Sequence, residues 1–329
     1  MEFGLEIGNR DFQELRDLAQ AAEQLGYDLF TIPDHIVREE MGGVFDPHAK
    51  SWDQMIAAAV VLEATRKIRV GHLVLCNLFR HPVMTAQSLT SLDHIGNGRA
   101  IAGLGAGWTE REFKMTGIAF PDIATRLRML DEALTCIRSL WTREQTTFQG
   151  EFYRLQDAIL WPKPLQRPHP PILLGGSGRG LLRIAAKHAD YVNIISEVGS
   201  VGRILPENVA KMTDKAFREK VNFVREQATK NGRAPDAIKF SNAIFAFVIT
   251  NSAAETQGAV QMMSAAMGMP AQHVAQSPMA LIGTPEQCAA ELSRRAKEWG
   301  VSQFIFSGTN TALEMIERLA KEVLPRVSA

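Results

Sequence analysis

Arg99-Ala-Ile-Ala-Gly-Leu-Gly-Ala-Gly-Trp108 holds an apolar run, Ala100 to Leu104, that ends in Gly105-Ala-Gly107. The run is too short for a helix and reads as a buried strand. Glycines at the end of such a strand let a backbone or a flat ligand approach closely. The same grammar recurs downstream. Pro171-Ile-Leu-Leu174 passes into Gly175-Gly-Ser-Gly178 and then into the helix-like Leu181-Leu-Arg-Ile-Ala-Ala-Lys187. Two strands that turn to glycine at their C-terminal ends point to a repeated strand–helix fold with its site on that face.

The rest of the chain follows the same alternation. Strands are expected at Phe3–Ile7, Tyr27–Ile32, Ile68–Cys76, Ile172–Leu174, Tyr191–Ile194, Phe240–Ile249 and Gln303–Phe306. Helices are expected at Asp11–Leu25, Ser51–Thr65 with Ser51 as cap, Pro82–Ile95, Ile123–Trp141, Gly180–His188, Glu207–Asn231, Pro285–Trp299 and Ala312–Val323. About eight strand–helix repeats argue for an α/β fold of the (β/α)8 TIM-barrel type. A doubly wound sheet gives the same alternation. Residues 1–329 read as one domain, since α/β barrels reach this length. Three long stretches, 105–125, 143–170 and 251–283, read as insertions at the C-terminal face of the strands, where lids and binding loops lie. Within the second, Thr146 to Leu155 reads as a hairpin over Gln149-Gly150.

Lysine plus arginine equal aspartate plus glutamate, so nothing points to nucleic acid or to an anionic membrane surface. A signal peptide and a transmembrane run are not expected. Cys76, Cys136 and Cys288 form no CxxC pair and read as buried thiols of a reducing compartment, which makes the cytoplasm the default location.

Pro33-Asp-His35 falls just past the second strand. His35 can exchange a proton near neutral pH and Asp34 can orient it. Equally, Asp34 can cap a turn and leave His35 exposed. In Arg80-His-Pro82, Pro82 starts a helix and Arg80 reads as an ion-pair partner for a neighbouring loop. Asn77 is the better ligand contact there. Trp108 can stack on a flat ring or fill core, whereas Glu110 and Glu112 read as solvated. His72 reads as a buried, hydrogen-bonded core histidine. Gly175-Gly176-Ser177-Gly178 before a helix is a ready anion site, although no Walker lysine follows. No HExxH or other metal-ligand spacing occurs, and no GxSxG.

Taken together, Pro33-Asp-His35, Arg80-His-Pro82, Leu92-Asp-His-Ile-Gly-Asn-Gly-Arg99, Gly103-Leu-Gly-Ala-Gly-Trp108 and Pro171-Ile-Leu-Leu-Gly-Gly-Ser-Gly178 with Ala189-Asp190 resemble the luciferase-like flavin and deazaflavin oxidoreductases. The resemblance covers nearly the whole chain and is nearest to the branch that uses coenzyme F420. It implies a barrel that holds the (deaza)flavin at the strand C-termini. Its ring would lie near Asp34, Val74, Leu75, Cys76, Asn77, Gly105, Ala106, Gly107 and Trp108, and its phosphate near Gly175, Gly176, Ser177 and Gly178. It also implies His35 as proton relay, a non-proline cis peptide near Val74-Leu75, and a homodimer through the Ala- and Met-rich helices 51–65 and 82–95. Some deazaflavin members carry a carboxylate where Trp108 stands, so a second acid is not indicated.

Hydride transfer between coenzyme F420 and a small organic substrate is therefore the leading expectation. An FMN-dependent monooxygenase that uses O2 is the alternative, and a non-catalytic cofactor carrier is the alternative of another class.

Overall fold

The computed structural model describes residues 1–8, 10–37, 48, 50–197, 206–308 and 311–328. Eight parallel strands close on themselves: β1 (Glu2–Glu6), β2 (Leu29–Ile32), β3 (Arg69–His72), β4 (Ala100–Gly105), β5 (Ile172–Gly175), β6 (Tyr191–Ile194), β7 (Lys239–Ile244) and β8 (Val301–Phe306). β1 pairs with β2 on one side and β8 on the other, so the barrel has no open edge. Its strands lack polar alternation because both faces are covered. Leu29 joins Ile101, Leu173 and Ile305 inside the barrel, while the adjacent Phe30 packs into the outer core with the helices. The doubly wound alternative is thereby excluded.

The helical layer comprises α1 (Phe12–Gln24), α2 (Gln54–Ala64), α3 (Pro82–Ile95), α4 (Glu110–Thr116), α5 (Ile123–Thr142), α6 (Arg179–His188), α7 (Pro206–Lys211), α8 (Asp214–Lys230), α9 (Ala253–Met267), α10 (Ala271–Ala275), α11 (Pro285–Trp299) and α12 (Leu313–Arg318). Among the described residues no helix is long and apolar enough to cross a membrane. The N-terminal end of the barrel is plugged. Glu2 accepts from Arg69 at 2.7 Å, from Gln303 at 2.8 Å and from the Tyr191 hydroxyl at 3.2 Å. A ligand site is left to the opposite end.

Four departures from the expected elements matter for that end. First, the third strand is broken. Gly71 faces Ile101 and Leu75 faces Leu104, so the β3 side carries one residue more between those pairs. This bulge re-aims the chain, and pairing resumes at Leu75–Cys76. The non-proline cis peptide is Leu73–Val74, one bond earlier than expected. Nothing in Ile68-Arg-Val-Gly-His-Leu-Val-Leu-Cys76 marks where the extra residue sits.

Second, the seventh strand leaves the barrel at Phe245. Ala246–Ile249 pairs instead with Ala280–Gly283, outside the closed sheet. The stretch between them, read as loop, forms α9 and α10. Its Ala, Met, Gln and Glu content is strongly helix-forming, a usable signal.

Third, the helix of Glu207–Asn231 is two helices, because the Thr213 hydroxyl accepts from the Ala216 N–H and caps α8. Fourth, α2 is capped by Asp53, which accepts from the Met55 and Ile56 N–H groups. Ser51 instead donates to the His35 carbonyl at 2.6 Å. The hairpin forms from Thr146–Gln149 and Arg154–Ala158, with a wider turn than the Gln149-Gly150 expected.

Candidate functional site

Glu6 ends β1, Asp34-His35 follows β2, Asn77 follows Leu75–Cys76, Gly105 ends β4, Gly175 ends β5 and Ser307 follows β8. A parallel barrel brings all these positions to one mouth. Val74 stands on its floor. A Cβ added to Gly105 would meet the Val74 side chain at 2.6 Å, and one added to Gly175 would meet it at 3.0 Å. Trp108 and Ala106 border the same strand end, and the edge of Trp108 meets the His35 ring at 5.6 Å between centroids.

His35 is oriented by a residue the sequence reading set aside. Its Nδ1 lies 3.1 Å from Oε2 of Glu112, which is buried at 2% exposure rather than solvated. The second oxygen of Glu112 accepts from the Ile36 N–H at 2.7 Å and the Val37 N–H at 3.2 Å. Three donors thus satisfy the buried carboxylate. Asp34 does not orient His35. Its carboxylate accepts from the Cys76 N–H at 2.9 Å and from Arg80 at 2.8 and 3.3 Å. Arg80 also reaches Asp53, the α2 cap, at 3.2 Å. The Asp34–Arg80 pair therefore ties the end of β2 to the segment after the bulge, as an ion pair of Arg80 with a neighbouring loop was expected to do. Glu110, half exposed beside Lys114, is solvated as read.

Burial pushes the His35 imidazole towards its neutral form. The Glu112 hydrogen bond and the charges of Glu112, Asp34 and Glu6 outweigh burial, and its pKa lies above the usual histidine value. Glu6 is the opposite case. Buried at 8% exposure, with the Ser307 hydroxyl donating to Oε2, it is pushed by burial from 4.5 up to about 7. Burial likewise pushes the Cys76 thiol up to about 12, so it is no nucleophile. Asn77 is buried and donates to the Tyr153 hydroxyl at 3.3 Å. His72, fully buried, donates from Nε2 to the Gln54 carbonyl at 3.0 Å, as a core histidine should.

Glu6 makes a stability prediction. A raised carboxyl pKa stabilises the native state below pH 4.5, and that contribution is lost as pH rises through about 7. The loss amounts to about 3 kcal/mol above neutrality. Glu6→Gln should therefore melt clearly higher than the parent at pH 8 and nearly with it at pH 5. An equal shift at both pH values would show that Glu6 is ionised throughout.

On the other side of the mouth, Gly176 has φ +140°, and a Cβ there would lie 2.4 Å from Leu181 Cδ2. Its N–H donates to the Asn193 carbonyl at 3.0 Å, so this amide is not free for an anion. Ser177 is buried at 3% exposure, and its Oγ has no hydrogen-bond partner. Gly178 caps α6, with nothing within 4 Å of where its Cβ would be. The first amides of α6 have no upstream helical acceptor. An unpaired buried hydroxyl beside unpaired amides and open space fits a phosphate group. No group of three or more potential metal ligands occurs among the described residues.

Glu112 and Glu6 are the two buried carboxylates at the mouth that the sequence did not single out. For Glu6 a signal existed: a carboxylate that follows Phe3-Gly-Leu5 on a central strand is costly unless used or paired. Glu112 lies on a seven-residue helix too short to show a buried face.

Residues 2–303 match the model of the luciferase-like monooxygenase family. The chain belongs to that family. It is 25% identical to an F420-dependent glucose-6-phosphate dehydrogenase of Amycolatopsis mediterranei, over 98% of this chain and 96% of that one. It is 29% identical to an FMNH2-dependent dimethylsulfone monooxygenase of Pseudomonas putida, over 76% and 61%. Among solved structures, an F420-dependent secondary alcohol dehydrogenase in complex with an F420-acetone adduct superposes with a TM-score of 0.79 at 20% identity, over 100% of this chain and 99% of that one. The family member described here keeps the barrel and places His35, Trp108 and the Gly175–Gly178 loop around one mouth.

Proposed function

We propose that this family member is an oxidoreductase that moves a hydride between coenzyme F420 and a small organic substrate. The observation that carries the reading is His35, held by a buried carboxylate at a mouth whose far side bears an unpaired buried hydroxyl at a helix start. The names of the Amycolatopsis and alcohol dehydrogenase relatives support the deazaflavin branch. Bound there, the deazaflavin supplies the hydride chemistry. The chain supplies position, shelter from water and a proton route.

Glu112 accepts from Nδ1–H of the neutral ring, which leaves Nε2 of His35 as the acceptor. In an oxidation Nε2 takes the proton of a substrate hydroxyl, and in a reduction it returns one. Glu6, held by Ser307 and titrating near neutrality, is a second proton reservoir facing the same mouth. Ser177 and the first amides of α6 would hold the phosphate, and Val74, Gly105, Gly107 and Trp108 would border the ring. Alcohols, ketones, imines and enones are the matching substrate class. All three cysteines are buried free thiols, in keeping with a cytoplasmic enzyme. Ile56 on α2 and Met84 on α3, both more than half exposed, support a homodimer through those helices.

A second reading rests on Trp108, which stands where some deazaflavin relatives carry a carboxylate, and on the dimethylsulfone monooxygenase relative. It makes the protein an FMN-dependent monooxygenase. Fluorescence-quenching titration of the purified protein separates the two. Coenzyme F420 is expected to bind more tightly than FMN. Tight FMN binding without a response to F420 would replace the first reading by the second.

A further inference from the structure

The Ser177 loop is held from outside the barrel mouth. Lys220 Nζ donates to the Ser177 carbonyl at 2.9 Å and to Glu197 Oε1 at 2.8 Å. The Lys220 side chain is only 18% exposed. It projects from α8, a seventeen-residue helix anchored by buried Phe217, Val221 and Val224. On the other flank, the Gly176 N–H is fixed to the Asn193 carbonyl. Both flanks are thus tethered through backbone atoms, while the Ser177 hydroxyl has no partner. A buried hydroxyl left unpaired is costly, and an acceptor supplied by a ligand removes that cost.

We propose that Lys220, oriented by Glu197, is a positioning residue for the cofactor phosphate. By fixing the Ser177 carbonyl it sets the peptide whose side chain and following amides face the anion. Two of its three N–H groups are engaged, and its charge is paired with Glu197, so it acts through the position of the Ser177 carbonyl. Nothing in the reaction itself requires a lysine on α8. The inference rests on the (deaza)flavin reading above, because it concerns the phosphate of that cofactor.

The test compares rings with and without phosphate: FMN against riboflavin, and coenzyme F420 against its phosphate-free deazaflavin core. Dissociation constants are measured by fluorescence for the parent, Lys220→Met and Lys220→Arg, with thermal melts of each. The parent is expected to prefer the phosphorylated ring. Lys220→Met should cut that preference by about 10–100-fold, the range seen when an outer partner of a metal ligand is lost. Its affinity for the phosphate-free ring and its melting temperature should stay near the parent values, and Lys220→Arg should restore most of the preference. If Lys220→Met does not fold, Lys220→Gln is read in the same way and should also lower the preference. A variant that keeps the parent preference overturns the role of Lys220. Equal loss for both rings makes Lys220 a plain structural tether and overturns it too. A parent with no preference for phosphate removes the phosphate site itself, and the inference with it.

Discussion

His35→Ala is expected to lower turnover by roughly 10²–10⁴-fold, the usual cost of losing a general acid or base. Affinity for the cofactor should stay within about tenfold, because the His35 ring reaches Glu112 and Trp108 rather than the Gly175–Gly178 loop. The measurement is steady-state turnover at saturating cofactor, alongside a cofactor titration. An unchanged rate would show that His35 is not the group that transfers the proton.

Glu112→Gln refines the same prediction through pH. The carboxylate raises the His35 pKa by its hydrogen bond and its charge. Glutamine removes the charge, so the limb of the pH–rate profile that reports His35 should move to lower pH. The stability sign follows from the same shift. The raised pKa stabilises the native state below the unfolded histidine value, and that contribution disappears as pH rises through the folded one. Glu112→Gln should therefore be relatively least stable, against the parent, at low pH. A pH–rate profile that superposes on the parent would mean that His35 is not the group it reports.

Gly103→Ala is expected to have the largest effect on the fold. A Cβ at Gly103 would lie 1.7 Å from the His72 carbonyl oxygen and 2.8 Å from its carbon. Both atoms are backbone, so no side chain can swing aside. Either β3 and β4 part or the bulge between His72 and Leu75 is lost, and Val74 leaves the floor of the mouth. A destabilisation above about 4 kcal/mol is expected, a large share of the roughly 5–15 kcal/mol a domain of this kind commands. Gly178→Ala is the control, since nothing lies within 4 Å of its Cβ position, and it should melt close to the parent. A Gly103→Ala protein that melts within a few degrees of the parent would show that the bulge yields easily.

The elements most legible in the sequence were those set by short-range patterns. Pro82 at the first helical position and glycine after Ile95 and Trp299 placed α3 and α11 to the residue. The buried apolar runs placed β4 and β5, because a strand covered on both faces is built mostly of apolar residues. Even the burial of His72 followed from its place between Val70 and Val74. The elements missed were those whose limits depend on a partner. The ten residues from Phe240 to Ile249 read as one strand, yet Phe306 is the last β8 residue facing β7, and beyond it only the distant Ala280–Gly283 can take up the pairing.

The same division holds at the site. By itself the sequence determined that the chain is a barrel with glycine-ended strands, that Asp34-His35, Asn77, Trp108 and the Gly175–Gly178 loop share one face, and that no metal motif is present. Strand direction alone carries those conclusions, because parallel strands send all their C-terminal ends to one mouth. Only the tertiary structure decided which carboxylate serves which partner. Asp34 is adjacent to His35 in sequence but is claimed by Arg80 and the Cys76 amide. Glu112, seventy-seven residues away, takes Nδ1. Adjacent side chains after a strand point apart, whereas a helix packed across the mouth can bring a distant carboxylate to hydrogen-bonding distance and bury it. Partner choice, burial and the pKa directions that follow are properties of that packing, which no local pattern encodes.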